Sequence, residues 1–439
     1  MGKYFGTDGI RGTVGENLTT VMAKAIGESI KSTFNVSEIV IAKDTRESST
    51  AFLHALSDGA RACGVTVYDA GVLPTPALAY YSYYHKKLAV MITASHNPYT
   101  DNGIKLFNQG YKLTPKEEER IEAFIDGKVC ENHRDMASIY QTEAPKALYR
   151  SIYKPWATQK VHVAMGLDMA HGATFELAPE LLTPMVDEVK LFNITPDGRN
   201  INDQCGSTYM ESLKQNVIEH KLDIGFAFDG DGDRVLAVDH QGNIVDGDLI
   251  IYVLATWLKK QQRLNKNTVV LTKMSNPGIV DAFNKQGIDV IRTDVGDKYV
   301  LKALLDKKLS IGGENSGHII IPELLPTGDG IFIATQLLHV LQEEKQSLAQ
   351  LIADVKMFPQ KMVNVKNVDK NVCTHEAVLK TIQEVKSSLK EPSLVLIRPS
   401  GTEPVVRITI SCEDETSMHQ AIEKIKAVII KYGCDEYEA

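Results

Sequence analysis

The chain has 439 residues, 43% of them hydrophobic and 24% charged. These are globular proportions that exclude extensive disorder, and the length exceeds one ordinary core, fitting three or four domains of roughly 100–150 residues. A formal net charge of -8 gives no global basic footprint for nucleic acid, so an anionic ligand has to be met by Arg and Lys gathered locally.

Taken in chain order, the first residues carry no apolar stretch of signal-peptide type. The turn Gly6-Thr7-Asp8-Gly9-Ile10-Arg11-Gly12 reads either as a tight bend or as glycines and Arg11 approaching a phosphate. Short, nearly all-apolar runs then alternate with helical patterns: Ile39 to Ala42, Leu88 to Ile92, Val161 to Ala164 and Val269 to Leu271. Runs of that kind are strands buried on both faces, as in α/β sheets. Tyr80, Tyr81, Tyr83 and Tyr84 read as a packed helix face rather than a base-stacking platform. Thr114-Pro115-Lys116-Glu117 has capping-box spacing with Pro at the first helical position, followed by an apolar stripe of Ile121, Phe124 and Ile125. The longest membrane candidate, Leu249 to Leu258, is about half of the roughly 20 residues a span needs. Near the end, Leu394 to Ile397 and Val405 to Ile410 read as strands around a Gly/Pro turn. A last helix then carries Met418, Ile422, Ile425 and Ile429 on one face, so a smaller α+β unit is expected there. Domain boundaries are expected to give segments 1–150, 151–250, 251–359 and 360–439. The six cysteines, Cys63, Cys130, Cys205, Cys373, Cys412 and Cys434, are widely spaced with no C-x-x-C. They read as reduced thiols of a cytoplasmic protein.

Four loops carry chemistry. Thr93-Ala94-Ser95-His96-Asn97-Pro98 follows an apolar strand, and ligands of α/β sheets gather at such carboxyl ends. Ser95 is either a presented nucleophile or part of a plain turn; Lys105 lies ten residues on. Asp229-Gly230-Asp231-Gly232-Asp233-Arg234 sits between two apolar runs. Its alternate carboxylates converge when the chain bends, and at about 4 Å they repel by roughly 1–4 kcal/mol, depending on the dielectric. A hard divalent cation with oxygen ligands removes that repulsion. An EF-hand is excluded, because Arg234 stands at its sixth position and His240 at its twelfth. Gly313-Glu314-Asn315-Ser316-Gly317-His318 offers donors and acceptors suited to sugar hydroxyls. Arg398-Pro399-Ser400-Gly401-Thr402-Glu403-Pro404, with Arg407 beyond it, reads as an anion nest. The sequence contains no P-loop and no G-x-S-x-G elbow.

These loops, in this order, resemble those of the α-D-phosphohexomutase superfamily, nearest to its branch acting on glucosamine phosphates. The resemblance rests on Phe5 to Gly12, Ala94 to Pro98, Asp229 to Arg234, Gly313 to His318 and Arg398 to Pro404, and it spans nearly the whole chain. It implies three α/β domains with mixed sheets and a C-terminal α+β domain around a central cleft. It implies a phosphoserine at Ser95, with one Mg²⁺ held by Ser95, Asp229, Asp231 and Asp233. Arg11, Lys105, His96 and His318 would stand at the reacting phosphate, with the general base open among Lys105, His96 and His318. Arg234, Glu314 and Ser316 would contact the sugar or its phosphate. Arg398, Ser400, Gly401, Thr402 and Arg407 would grip the spare phosphate. The implied reaction interconverts glucosamine 6-phosphate and glucosamine 1-phosphate, feeding cell-wall precursor synthesis, with glucose or glucosamine 1,6-bisphosphate as activator or intermediate. The expected partner is a small phosphosugar, not nucleic acid or membrane, and the enzyme is a monomer or homodimer. Two departures stand out: Thr93 where Ser is usual, and Lys273 where an apolar residue is usual. The alternatives are a phosphomannomutase/phosphoglucomutase, a metal-dependent phosphosugar phosphatase and a non-catalytic phosphosugar-binding protein.

Overall fold

The computed structural model describes residues 2–130, 136–156, 160–399 and 405–433. They form two compact units, one of residues 1–266 and 296–352, the other of 267–295 and 353–439.

In the first unit, a mixed sheet runs in the order Ile10–Thr13, Asp101–Asn108, Leu88–Ile92, Glu38–Lys43, Thr66–Val72, Ile139–Gln141, with Tyr111–Lys112 added on Asp101–Asn108. Glu38–Lys43 pairs in parallel with both neighbours, whereas Asp101–Asn108 is antiparallel to both of its own. Every residue of Leu88–Ile92 is buried, as expected for a strand covered on two faces. A second sheet runs Ile244–Val245, Val235–Asp239, Ile224–Phe228, Val161–Asp168, Val186–Phe192. Its antiparallel pair Ile224–Phe228 and Val235–Asp239 holds the aspartate loop at one end. A short hairpin of Gly312–Gly313 and Ile319–Ile320 carries the Glu314 loop. The apolar run Leu249 to Leu258 lies inside the helix Gly247–Lys260, most of which is buried. No described helix is long and apolar enough to cross a membrane.

In the second unit, Thr268–Thr272 and Asp289–Thr293 pair in parallel. An antiparallel sheet places Val405–Ser411 between Gln360–Lys366 and Leu394–Pro399. Its core takes Ile408 and Ile410 together with Met418, Ile422, Ile425 and Ile429 of the helix Glu415–Gly433, as the apolar periodicity anticipates. The capping box at Thr114 is also present, with Thr114 and Glu117 bonding reciprocally at the start of Pro115–Ile125 in the first unit.

Two expectations need correction. Cys63 and Cys130 are joined in a disulfide, their Cα atoms 6.2 Å apart across 67 residues of sequence. Cys63 caps the end of the helix Ser49–Ala62, and Cys130 lies beyond the end of Pro115–Ile125. Tertiary packing joins them, which spacing along the chain does not reveal. Among the described residues, Cys205, Cys373 and Cys412 are free. The tyrosines of Thr75–His85 form no single packed face: Tyr81 is buried while Tyr84 is 61% exposed. Adjacent positions on a helix point about 100° apart.

The helix Gly330–Glu344 starts at Asp329, whose Oδ1 accepts Phe332 N–H at 3.0 Å and the hydroxyl of Tyr149 at 2.7 Å. Burial pushes this carboxyl up to about 6. The folded state therefore binds the proton more tightly than the unfolded chain, and stability falls as pH rises from about 4 to about 6, by on the order of 3 kcal/mol in total. Asp329→Asn keeps the cap and removes the charge. It is expected to raise the urea midpoint at pH 8, leave it nearly unchanged at pH 4, and flatten the dependence between. A midpoint lowered equally at both pH values would contradict this.

Candidate active site

Ser95 sits at the carboxyl end of Leu88–Ile92, fully buried, with its backbone in the left-handed region at φ 53°. That conformation is costly for a residue with a Cβ and persists only where surroundings impose it. The imposing group is Arg46, itself 1% exposed. Its guanidinium donates to the main-chain carbonyls of Ser95 (2.9 Å), Asn97 (2.8 Å), Asp101 (3.0 Å) and Pro98, while its Nε donates to Asp44 at 2.8 Å. Asn202 Nδ2 adds bonds to the Ser95 and Asn97 carbonyls at 2.9 and 3.0 Å. Thr93 keeps the hydroxyl that the usual Ser would supply, and its Oγ1 accepts Ser95 N–H at 2.9 Å.

The aspartate loop meets this turn. Gly230 is required there, since a Cβ would lie 2.5 Å from the Ser95 carbonyl oxygen. Gly232 has φ 74° and no room for a Cβ beside Thr174. The two glycines let the carboxylates of Asp229, Asp231 and Asp233 converge, with ligand atoms within 4.8 Å of one another and all three residues buried. Ser95 Oγ donates to Asp229 Oδ2 at 2.5 Å. Burial, reinforced by Asp233 and Asp231, holds Asp229 well above the usual carboxylate range. Asp231 Oδ1 and Asp233 Oδ1 lack hydrogen-bond partners. Buried carboxylate oxygens left open beside one another, with a hydroxyl among them, fit a hard divalent cation with oxygen ligands.

Lys105, 2% exposed, places Nζ 2.7 Å from Asp231 Oδ2, 3.1 Å from Asp233 Oδ2 and 2.9 Å from Asp8 Oδ2. Burial alone would lower its pKa, but the three carboxylates outweigh burial and raise it well above the ordinary value. Lys105 is therefore a fixed cation in this arrangement. Asp233 is held well below the carboxylate range: burial opposes this, and Lys105 and His318 overcome it. His96 Nδ1 lies 3.2 Å from Ser95 Oγ, and burial next to Arg234 and Arg11 pushes the imidazole down to about 4. It is neutral at pH 7. Burial lowers the pKa of His318, but Asp233 and Asp297 outweigh it and raise the pKa above the ordinary value; its hydrogen bonds here are those of the deprotonated ring. Its Nε2 accepts Gly328 N–H at 3.0 Å, leaving Nδ1–H to face Asp233 Oδ1 at 3.5 Å. The guanidinium of Arg234 lies near the same loop, Nε 3.8 Å from Asp233 Oδ1. Glu314 Oε1 is fixed by Gly296 N–H at 3.0 Å, and Ser316 Oγ reaches Glu314 Oε2 at 3.4 Å.

Four residues here escaped the sequence reading. Arg46 has just been described. Asp8 gathers three cations: it contacts Arg11, lies 2.9 Å from Lys105, and lies 2.5 Å from Lys112. Lys112 also contacts Asp297, which stands 3.5 Å from His318 Nε2. Asp8 belongs to a turn already singled out, but nothing local in the sequence marks Lys112 or Asp297, which lie 185 positions apart.

In the second unit, Arg398 and Arg407 face each other directly across Leu394–Pro399 and Val405–Ser411. Opposed residues of an antiparallel pair share one face, and like charges so placed repel unless an anion joins them. Ser400, Gly401 and Thr402 lie outside the described residues. Lys273, the unusual residue, forms an exposed ion pair with Asp294 at 2.6 Å.

The structure thus brings the Ser95 hydroxyl, three convergent carboxylates, the Lys105 ammonium and the His96 imidazole together, a chemical set compatible with phosphoryl transfer. The sequence patterns of phosphoglucomutase/phosphomannomutase alpha/beta/alpha domains I, II and III match residues 2–129, 147–242 and 246–358, and the C-terminal domain of that family matches 362–428. The chain belongs to the phosphoglucomutase/phosphomannomutase family. It is 40% identical to a phosphoglucosamine mutase of Caldicellulosiruptor bescii, covering 98% of this chain and 99% of that protein. It is 39% identical to one of Lysinibacillus sphaericus, covering 98% of each. Among solved structures, a phosphoglucomutase/phosphomannomutase family protein of Burkholderia thailandensis superposes with a TM-score of 0.77 at 20% identity over 97% of each chain. The N-acetylphosphoglucosamine mutase of Aspergillus fumigatus, in complex with GlcNAc-6P and magnesium, gives 0.66 at 16% identity over 98% of this chain and 96% of that one.

Proposed function

We propose that this chain is a phosphoglucosamine mutase that interconverts glucosamine 6-phosphate and glucosamine 1-phosphate through a phosphoryl group carried on Ser95. The observation that carries the reading is the buried Ser95 hydroxyl bonded to Asp229 in the middle of a carboxylate cluster neutralised by Lys105. In this reading the bond between phosphorus and Ser95 Oγ breaks as a bond to the sugar O1 forms, and the O1 proton passes to a base. The 1,6-bisphosphate reverses its ends. The phosphoryl group on O6 then returns to Ser95 and O6 takes a proton back.

One Mg²⁺, held by Ser95, Asp229, Asp231 and Asp233, would supply charge neutralisation at the transferring group. Arg11 and Lys105 would share that work, oriented by Asp8. Of the three candidate bases, His96 is neutral and nearest Ser95 Oγ, so it is the proton carrier best placed there. His318 would orient Asp233. Glu314 and Ser316 would take the sugar hydroxyls, Arg234 the sugar or its phosphate, and Arg398, Ser400, Gly401, Thr402 and Arg407 the phosphate not being transferred. The four segments 1–150, 151–250, 251–359 and 360–439 would each contribute one such loop. A cytoplasmic location, and a monomeric or homodimeric state, belong to the same proposal.

The test is turnover of glucosamine, glucose and mannose phosphates with Mg²⁺ and glucose 1,6-bisphosphate. The glucosamine substrate is expected to lead in kcat/KM by at least about tenfold, a difference on the order of 1.4 kcal/mol. Thorough chelation should abolish turnover, and added Mg²⁺ should restore it. A lead for glucose or mannose phosphate would move the assignment to a phosphomannomutase/phosphoglucomutase, and net release of inorganic phosphate would indicate a phosphatase.

A further inference from the structure

The three carboxylates of the aspartate loop are not free to turn. Asp229 takes the Ser95 hydroxyl on Oδ2 at 2.5 Å and the Arg234 N–H on Oδ1 at 3.2 Å. Asp233 has Oδ2 on Lys105 Nζ at 3.1 Å. Asp231 has a partner from outside this set. Its Oδ2 accepts the Thr75 hydroxyl at 2.6 Å and lies 2.7 Å from Lys105 Nζ. Its Oδ1 is buried without a hydrogen-bond partner. Thr75 stands 156 positions from Asp231 in the chain, and no step of the proposed mutase reaction uses it.

Thr75 is buried and opens the helix Thr75–His85. The first N–H groups of a helix have no partner within it. That of Thr75 donates to the Asp231 carbonyl at 2.9 Å, so one residue fixes both the main chain and the side chain of Asp231. A helix start also favours a carboxylate, because its unpaired N–H groups carry partial positive charge. The segment before the helix is tied down as well: Leu73 N–H donates to the Lys43 carbonyl at 3.1 Å, and Pro74 is extended at φ -59° and ψ 142°. The hydroxyl is thus carried on an anchored element and not on a free loop.

We propose that Thr75 is a positioning residue of the metal centre, its hydroxyl holding Asp231 Oδ2 so that Oδ1 is the oxygen left for the ion. The proposal rests on the reading that the three aspartates hold Mg²⁺. A carboxylate with both oxygens free can present either of them, or both, to a cation, and donors fixed on Oδ2 remove that freedom. Lys105 does not do this alone, because its ammonium is shared with Asp233 and with Asp8, the latter at 2.9 Å. It is also a point charge with three rotatable donors, whereas a hydroxyl has a single proton to give, and Thr75 gives it to Asp231. Partners that orient a ligating carboxylate in this way typically set metal affinity by about 10–100-fold.

The probe is Mn²⁺ alone, which shares the oxygen-ligand preference of Mg²⁺. It is titrated into the full chain and followed by the electron paramagnetic resonance signal of the free ion, so the measurement needs no turnover. Thr75→Val keeps the shape and the main-chain bond and removes only the hydroxyl. It is expected to weaken Mn²⁺ binding about 10–100-fold. Thr75→Ser keeps the hydroxyl and should retain the parental affinity, which a role in packing alone would not predict. Thr75→Ala removes the hydroxyl without setting a methyl group against the carboxylate. It should weaken binding as Thr75→Val does, and it decides the matter if Thr75→Val does not fold. Parental affinity in the variants that lack the hydroxyl overturns the proposal, and so does a loss in Thr75→Ser equal to theirs. A parent chain that binds no Mn²⁺ would overturn the metal reading itself, and the role of Thr75 with it.

Discussion

Ser95→Ala is expected to lose mutase activity by on the order of 10⁴-fold or more, because the group that carries the phosphoryl is gone while binding contacts remain. Intact mass should show no phosphate on the variant and one on the parent chain. Stability changes are a separate matter. Ala at φ 53° bears the same Cβ strain as Ser, so the backbone cost is unchanged. Relative to the unphosphorylated parent, what is lost is the donor to Asp229 Oδ2, leaving a buried carboxylate oxygen without its 2.5 Å partner, a loss of about 1–3 kcal/mol. Ser95→Gly separates the two effects. It relieves the left-handed strain, so it should be more stable than Ser95→Ala, and it should be just as inactive. If either variant still carried phosphate and turned over at the parental rate, the carrier would have to lie elsewhere.

What the sequence made legible follows from how the site is built. Ser95, the three aspartates and the Glu314 loop each sit in a contiguous stretch between apolar runs, and those runs are the strands Leu88–Ile92, Ile224–Phe228 and Val235–Asp239. Continuous apolar runs mark the strands, and the loops at their ends are then conspicuous for polar residues and glycines. The groups that went unseen act across the fold. Arg46 reaches carbonyls 49 to 55 positions away, and main-chain acceptors leave no trace in the side-chain sequence. Lys112 and Asp297 meet only because the sheet edge at Tyr111–Lys112 and the start of the helix Asp297–Lys307 come together. Cys63 and Cys130 were judged by spacing, which is uninformative when two helix ends supply the proximity. The surroundings of His318 were equally hidden: Gly328 N–H meets its Nε2, and Asp233 Oδ1 lies 3.5 Å from its Nδ1.

Arg46→Met should destabilise the protein by about 3–5 kcal/mol, and should slow turnover by more than the lost stability explains. The guanidinium makes five hydrogen bonds, one to Asp44 and four to the carbonyls of the Ser95 turn. Met fills similar volume but leaves the fully buried Asp44 carboxyl without its 2.8 Å partner, and breaking a buried pair from one side carries a penalty of that size. Asp44 retains the Ser49 hydroxyl at 2.8 Å, and the Arg46 N–H at 3.0 Å would survive as the Met N–H, so the loss should stop short of abolishing the fold. The turn keeps the Asn202 bonds to the Ser95 and Asn97 carbonyls and the Thr93 Oγ1 bond to Ser95 N–H, but loses the guanidinium that ties four of its carbonyls together. A shift of about 1 Å in a reacting group is enough for a 10²-fold loss of rate. Adding Asp44→Asn to Arg46→Met distinguishes the two consequences. Removing the orphaned charge should recover part of the urea midpoint, while kcat stays low because nothing restores the Ser95 turn. Arg46→Lys should fall between, since one ammonium cannot replace a planar fork that bonds four carbonyls and a carboxylate. Recovery of kcat in step with stability in the double variant would mean that Arg46 serves the core alone; recovery of stability without kcat would mean that it holds the phosphoryl carrier in position.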